Sequence, residues 1–409
     1  MASSGRARGS EGTGRRGGMA GQSRQGGTLM VLSPLWLIAA ATAVTTADTQ
    51  GMALAEAHLR IPERNLPTFW VGDLGRLGRQ LAGVKRGEVT TIATTPGRRA
   101  VRLVAYGERE RVAHLANYNS AVGAGFPRAY MDKGARRKPV ILFVGPVHGQ
   151  ETEGLTGLCN LICVMETGRD LRGREQLPLR ALGDRCRLLI IPAGNPDGVA
   201  RFAPRSLQGM TQDDLRFWGQ GTWTDHTFCG WPDCKRRHPM VGPDVGFLGC
   251  YFNDAGVNPM HDEFMAPMGP EAPAILRVAA GEGPDLCVSL HAHESAPAVL
   301  RTAFTPLPMQ ERVRRLAEAL NVLLKQRDLP PAGVPTAEPE QGEFGAPFNL
   351  VSALHHVSGA VTFTFECPHG LADATACHLD MEGILDLQLA LQETMMQSVL
   401  AQHKAELRP

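Results

Sequence analysis

A histidine and a glutamate follow the first strongly apolar run of the chain. Residues 139–144 are short, β-rich and free of charge, which predicts a buried strand, and Gly145 and Pro146 end it. His148 and Glu151 then lie past its carboxyl end, the edge where ligands bind in open α/β sheets. A His-x-x-Glu pair can direct an imidazole nitrogen and a carboxylate oxygen at one cation, and zinc accepts both ligand types. The pair therefore indicates part of a metal site.

A third ligand is predicted at His291, which follows a second apolar run at 284–290. The same strand-end argument places it beside the first pair. Three protein ligands leave a fourth position for water, which is the arrangement of catalytic zinc sites rather than of structural ones. A lone histidine after a strand is more often a loop or core residue than a ligand. Three such residues, each at the end of an apolar run, favour a metal site.

The composition excludes several classes of partner. The chain has 409 residues, of which 43% are hydrophobic and 20% charged, as in ordinary globular proteins. The net charge of +1 removes any global electrostatic argument for binding nucleic acid or an acidic membrane. Function must therefore come from a local site.

The amino-terminal residues 1–47 predict a secretory signal. A Gly/Ser/Arg-rich lead precedes an uncharged, mostly apolar segment at 28–47 that ends in small residues. We therefore expect export, to the periplasm or as a secreted protein. The alternative is an uncleaved membrane anchor, because about 20 apolar residues span a bilayer. Residues 48–409 are expected to form one catalytic domain.

Strands and helices alternate along the rest of the chain. This pattern predicts an α/β fold with a mixed, mostly parallel central sheet and helices on both faces. Residues 203–260 lack periodicity and predict a functional loop region. Strands are expected at 139–144, 187–192, 285–290 and 361–365 and in a hairpin within 90–106, and helices at 66–81, 151–166, 270–280, 309–328 and 379–407.

Nine cysteines are an odd number for an exported chain. Cys229 and Cys234 lie in a polar loop and could close a small disulfide. The rival interpretation adds His238 and Cys250 to make a structural zinc site, but this spacing fits no standard zinc motif.

Four motifs occur in a fixed order at predicted strand ends: His148-x-x-Glu151, the Asn-Pro-Asp-Gly turn at 195–198, Ser-Leu-His at 289–291 and Phe-Thr-Phe-Glu at 363–366. In this order they resemble the zinc carboxypeptidase family of the carboxypeptidase A type. The resemblance extends over about residues 66–407.

The resemblance implies a role for each matching residue. One zinc ion would be held by His148, Glu151 and His291, and Glu366 would be the general base. The family also uses an arginine after the Asn-Pro-Asp-Gly turn to polarise the scissile carbonyl. Arg205 has the spacing of one branch of the family, and Arg201 is the alternative.

The sequence departs from the family at the substrate carboxylate. The family's Asn-Arg pair aligns with Asn253 and Asp254, so that an acid replaces the arginine. A carboxylate cannot replace a guanidinium that binds an anion. One hypothesis is that Asp254 faces a positive group of the substrate. The family's capping tyrosine also has no counterpart, because no tyrosine follows Tyr251.

The sequence therefore predicts a zinc metallopeptidase that hydrolyses a peptide or peptide-like amide. One alternative is a cell-wall peptide amidase or γ-glutamyl hydrolase on the same fold. Another is a catalytically silent, zinc-containing binding domain. The presence of Glu366 together with all three ligands argues against the silent domain, because a binding module has no need of a general base.

Overall fold

A computed structural model describes residues 51–111, 116–133, 136–337 and 347–406 of the chain. All of them belong to one compact unit that begins at Thr49. The predicted signal at 1–47 lies outside the described residues. Within them, no helix is long and apolar enough to cross a membrane.

Seven of the strands form one central sheet in the order β1-β2-β4-β3-β7-β9-β8. The four strands β4, β3, β7 and β9 are parallel to one another, and antiparallel pairs flank them on both sides. This confirms the prediction of a mixed sheet with a parallel centre. The strands are β1 Glu88–Thr94, β2 Ala100–Tyr106, β3 Val140–Val144, β4 Arg187–Ile191, β5 Gly221–Trp223, β6 Val245–Leu248, β7 Leu286–His293, β8 Ala298–Arg301 and β9 Val361–Pro368.

Helices cover both faces of this sheet. They are α1 Leu54–Leu59, α2 Leu74–Ala82, α3 Tyr118–Gly123, α4 Arg128–Met131, α5 Thr152–Thr167, α6 Leu177–Gly183, α7 Pro196–Arg201, α8 Gln212–Leu215, α9 Glu271–Glu282, α10 Leu307–Gln326, α11 Leu350–Ser358 and α12 Met381–Glu406.

Strand β3 shows how the two layers of the core are built. Its side chains alternate, so that Ile141 and Phe143 pack in the layer that contains α5, α10 and α12. Leu142 and Val144 pack in the opposite layer with α9 and α11. All five residues of the strand are buried. Burial of each large apolar side chain contributes about 1.5–3 kcal/mol, which anchors the strand that leads to His148.

Some elements differ from the sequence-based expectation. The helix predicted at 66–81 begins only at Leu74, where Asp73 accepts a hydrogen bond from the backbone of Arg76 and caps it. Helix α5 lies where a helix was expected at 151–166, and it is buried on nearly every side. Strand β8 and helix α11 were not predicted.

The region at 203–260 contains short elements rather than long ones. Strands β5 and β6 pair in a small separate sheet, a π-helix spans Arg216–Gln220 and a 3-10 helix spans Asp233–Lys235. A second 3-10 helix, Pro259–His261, follows. These segments are too short to produce the periodicity by which a helix is recognised.

Candidate metal centre and active site

Three predicted metal ligands converge in the structure. One candidate ligand atom from each of His148, Glu151 and His291 lies within 4.8 Å of the other two, and all three residues are buried. His148 Nδ1 is 2.8 Å from Glu151 Oε1, and His291 Nδ1 is 3.0 Å from Glu151 Oε2. Two ligands at about 2.1 Å from one tetrahedral ion lie about 3.4 Å apart. Small adjustments would therefore let the three share one ion.

The sheet brings these ligands to one edge. Strands β3 and β7 are parallel, with Val144 opposite Ser289, so the segments that follow both residues meet at the same edge. His291 follows Ser289 by two residues on β7, and His148 lies in the loop after β3. Glu151 occupies the position before the first residue of α5, but its carboxylate makes no capping hydrogen bond and instead contacts His148.

A close approach of backbones fixes the loop that carries His148. A Cβ on Gly149 would lie 2.0 Å from the carbonyl carbon of Gly198, so only glycine fits there. The Gly149 N–H also donates to the carbonyl of Cys250, at 2.7 Å. The next residue, Tyr251, stacks on the His148 ring with 4.1 Å between ring centroids. The loop, the 195–198 turn and this tyrosine thus form one packed unit.

The surroundings of the ligands fit a zinc ion. Ser289 Oγ lies 3.0 Å from His291 Nε2, which leaves Nδ1 of that ring for a metal. Within the described structure, Glu151 Oε2, the oxygen that faces His291 Nδ1, is buried without a hydrogen-bond partner. Such orphaned polar atoms are rare in folded proteins and call for a ligand. Two imidazoles and one carboxylate are also the donor set of catalytic zinc sites.

The ionisation of the ligands agrees with a cation site. Burial raises the pKa of Glu151, but the imidazoles of His148 and His291 outweigh it and lower the pKa to about 2. Burial lowers the pKa of His148. Burial also lowers the pKa of His291, but the charges of Glu151 and Glu366 raise it overall. Metal binding would release any proton that His291 carries.

Glu366 lies next to His291 across the sheet. The two residues are directly opposite in the parallel register of β7 and β9. Glu366 is half-buried and does not belong to the group of converging ligands. Burial is the main cause that raises its pKa. A carboxylate beside a metal site with a raised pKa is suited to accept a proton near neutral pH.

The backbone of Arg205 is held beside the metal ligands. Its carbonyl accepts hydrogen bonds from Thr152 Oγ1 at 3.1 Å and from Trp70 Nε1 at 2.9 Å. Its φ of 61° is left-handed, which costs a residue other than glycine about 1–2 kcal/mol. The side chain is 57% exposed and lies 3.8 Å from Asp73. The guanidinium is therefore accessible, and its role as the polarising arginine stays a prediction.

Asn253 and Asp254 are occupied by contacts within the chain. Asn253 is fully buried, and its Nδ2 donates to both carboxylate oxygens of Glu271 at 3.1 and 3.0 Å. Asp254 accepts from Arg99 at 2.8 Å and from Arg201 at 2.5 Å. The binding of substrate by these two residues stays a prediction, and in this structure both are engaged by other residues of the chain. The positive groups that Asp254 faces belong to the chain itself.

The same cluster joins two sequence motifs. Asp197, in the Asn-Pro-Asp-Gly turn, accepts hydrogen bonds from Thr95 Oγ1 at 2.6 Å, from the Gly97 N–H at 3.0 Å and from Arg99 at 2.9 Å. Burial raises the pKa of Asp197, but these donors lower it overall. The turn between β1 and β2 is therefore fastened to the turn beside the site, and Asp254 completes this structural cluster.

Two residues that the sequence did not single out lie near the site. Lys235 Nζ is 3.0 Å from His261 Nε2. The charge of Lys235 is among the causes that lower the pKa of His148, after burial. Burial lowers the pKa of Lys235, and the charge of Glu366 partly opposes this shift. For Lys235 the only signal in the sequence was the irregular composition of 203–260, which does not identify individual residues, and His261 lies just after that region.

The cysteines make no disulfide. All nine are free thiols, and Cys229 and Cys234 are buried together with Met240 and Phe252 in a small apolar cluster. The rival structural zinc site is also not formed, because His238 Nε2 instead accepts the backbone N–H of Asn258, at 2.7 Å.

The centre of the sheet is parallel, and a buried His-Glu-His group lies at the carboxyl ends of its strands. These two features place the protein among α/β proteins with a zinc site of the catalytic type. The sequence comparison makes the family explicit. The model described as "Zinc carboxypeptidase" matches residues 85–320, and the chain belongs to this family. The match includes His148, Glu151 and His291 and ends before Glu366. Comparison with curated proteins found no match.

The comparison with solved structures found metallo-carboxypeptidases at low similarity. A metallo-carboxypeptidase from Burkholderia cenocepacia is 17% identical with a TM-score of 0.49, over 80% of this chain and 69% of that one. Carboxypeptidase A from Helicoverpa armigera is 15% identical with a TM-score of 0.47, over 87% of this chain and 79% of that one.

Proposed function

We propose that the protein is a zinc-dependent hydrolase of a peptide or peptide-like amide, with Glu366 as general base. The observation that carries the proposal is the convergence of His148, Glu151 and His291, with Glu366 opposite His291 in the sheet. A closed structural zinc site has four protein ligands, whereas this group offers three and places an additional acid beside them.

The chain's own residues would perform the proton transfers. When bound, zinc acts as a Lewis acid and lowers the pKa of a coordinated water molecule toward about 7. The Glu366 carboxylate would accept the proton of the attacking water and donate it to the leaving amine, whose C–N bond breaks. The exposed guanidinium of Arg205 would stabilise negative charge that develops on the carbonyl oxygen.

The experiment that tests this function compares zinc-loaded and metal-free protein on a peptide library. Release of amines is followed with time, and each peptide is offered with a free and with an amidated carboxyl terminus. Hydrolysis that depends on zinc supports the proposal. Preference for the free acid indicates carboxypeptidase action, and cleavage of both forms indicates an amidase. If no peptide or muropeptide is cleaved by the zinc-loaded protein, the proposal is wrong.

Two alternatives remain distinct from this proposal. A cell-wall peptide amidase or γ-glutamyl hydrolase would use the same four residues on muropeptides, so the library includes them. A catalytically silent zinc-binding domain would bind ligands without turnover. For such a domain, replacing Glu366 by glutamine should change only the local charge and leave ligand binding unchanged.

The location of the protein is proposed from the sequence alone. A basic lead and an apolar segment within 1–47 support export, with residues 48–409 as one catalytic domain. Mass spectrometry of the amino terminus of the mature protein tests this. A new terminus near residue 47 supports cleavage, whereas a retained apolar segment in the membrane fraction supports an anchor.

A further inference from the structure

The loop that carries Lys235 is fixed to the structure around the metal ligands. Cys229 and Cys234, on either side of the loop, are buried against Met240 and Phe252. Tyr251 packs partly against the same cluster and stacks on the ring of His148. The position of Lys235, directly after Cys234, is therefore set by the packing that also holds a metal ligand.

Two further contacts hold the ammonium group of Lys235. Its Nζ lies 3.0 Å from His261 Nε2 and 5.4 Å from the centroid of the Trp231 ring, which is within the range of cation–π attraction. Burial lowers the pKa of His261 to about 2, with a further contribution from the charge of Lys235. The imidazole is therefore neutral, and its Nε2 accepts a hydrogen bond from the ammonium group. One donor of Lys235 is used in this way, and two remain.

The segment that carries His261 is tied to the same loop by backbone contacts. The Met240 N–H donates to the carbonyl of Gly256 at 2.7 Å, and the Asn258 N–H donates to His238 Nε2 at 2.7 Å. The contact between Lys235 and His261 thus joins two segments that are already connected by these hydrogen bonds.

The other charged groups considered for substrate recognition are already paired. Asp254 is neutralised by Arg99 and Arg201, so its charge is not available to attract a cation. Lys235 has no carboxylate within ion-pairing distance among the described residues, and the packing of Cys234 and Tyr251 places its loop beside the ring of His148. Apart from the Glu366 carboxylate, the unneutralised charge beside the ligands is therefore positive.

We propose that Lys235, held in place by His261 and Trp231, binds a carboxylate of the substrate next to the scissile bond. This inference rests on the proposed hydrolase function and narrows its substrate class to anionic peptides or peptide-like amides. The substrate group would therefore be negative, whereas the hypothesis based on Asp254 in the sequence was that this group is positive. The carboxylate could be the carboxyl terminus or an acidic side chain, since both offer the same acceptor oxygens to an ammonium group.

The test uses Lys235→Met, which removes the charge and keeps the length of the side chain. Arg236→Met is the matched control, because it removes a charge from the neighbouring residue, whose side chain is 80% exposed. Both zinc-loaded variants and the wild type are assayed on three peptides with one scaffold. These end in phenylalanine as the free acid, in phenylalaninamide and in glutamic acid amide, so that the two sources of a carboxylate are separated.

We expect the wild type to prefer one of the two acids over phenylalaninamide by about 10- to 100-fold in kcat/KM, the effect of a hydrogen bond to a charged group. Lys235→Met should lose that preference, Lys235→Arg should keep most of it, and Arg236→Met should retain it fully. A wild type without preference, or a Lys235→Met variant that keeps it, would overturn the proposal.

Binding measurements separate this inference from the proposed function. Calorimetry compares 3-phenylpropanoate with 3-phenylpropanamide, neither of which contains a peptide bond, on the same zinc-loaded proteins. If the wild type cleaves no peptide, the hydrolase proposal fails. The anion site is still supported if Lys235→Met binds 3-phenylpropanoate about tenfold more weakly than the wild type while its binding of 3-phenylpropanamide is unchanged. Equal binding of the acid to both proteins contradicts it.

Discussion

Replacing Glu366 by glutamine tests the proposed mechanism at one atom. The change keeps the shape of the side chain and removes its ability to accept a proton. General acid–base catalysis contributes about 10²- to 10⁴-fold, so kcat/KM should fall by that factor, or by about 3 to 5 kcal/mol in transition-state stabilisation. Zinc should remain bound, because Glu366 is not one of the three converging ligands. The melting temperature should not fall, because burial already disfavours the charged form.

The assay follows amine release and zinc content on the same preparation. Glu294→Gln is the matched control, since this exposed carboxylate follows the same strand as His291 and should have little effect on rate. If Glu366→Gln keeps more than about a tenth of the wild-type rate, a contribution of the expected size is excluded and the assignment of the base is wrong. A variant that loses zinc together with activity would show that Glu366 supports the metal instead.

Three further substitutions address the support of the site. Ser289→Ala removes the hydrogen-bonding partner of His291 Nε2, so zinc affinity measured by competition with a chelator should fall about 10- to 100-fold, and an unchanged affinity would contradict that role. Burial raises the pKa of Glu271 to about 7, so the wild type should lose up to about 3 kcal/mol of unfolding free energy as pH rises from about 4.5 through 7. The unfolding free energy of Glu271→Gln, measured by denaturation, should not show this loss. If the variant and the wild type show the same pH dependence, the raised pKa of Glu271 is refuted. Asp254→Asn should lower the melting temperature, because it weakens the pairing of Arg99, while the rate ratio between cationic and neutral peptides stays constant; a changed ratio would show that Asp254 meets the substrate.

The strands and the metal ligands could be predicted because their signals are local. The runs at 139–144 and 361–365 are apolar and β-rich, and each leads to a polar residue at the sheet edge. Parallel strands bring their carboxyl ends to one edge, so His148 and His291 were expected to meet. Their convergence in the structure follows from the register of β3 and β7.

The environment of the substrate could not be predicted in this way. Asp254 was aligned with a residue that binds substrate, but its partners, Arg99 and Arg201, are distant in sequence and are set by tertiary packing. The pairing of Lys235 with His261 depends in the same way on two irregular segments. Such contacts leave no periodic pattern in the sequence, because the conformation of a loop depends on tertiary packing and not on a regular spacing of residues.

The zinc content of purified protein tests the central claim most directly. Wild-type protein and the His148→Ala and His291→Ala variants are dialysed together and analysed by mass spectrometry of the metal. We expect one zinc per chain in the wild type and a large loss in both variants, because two ligands bind zinc much more weakly than three. Equal zinc in all three proteins, or none in the wild type after exposure to zinc, would contradict a site built from these residues.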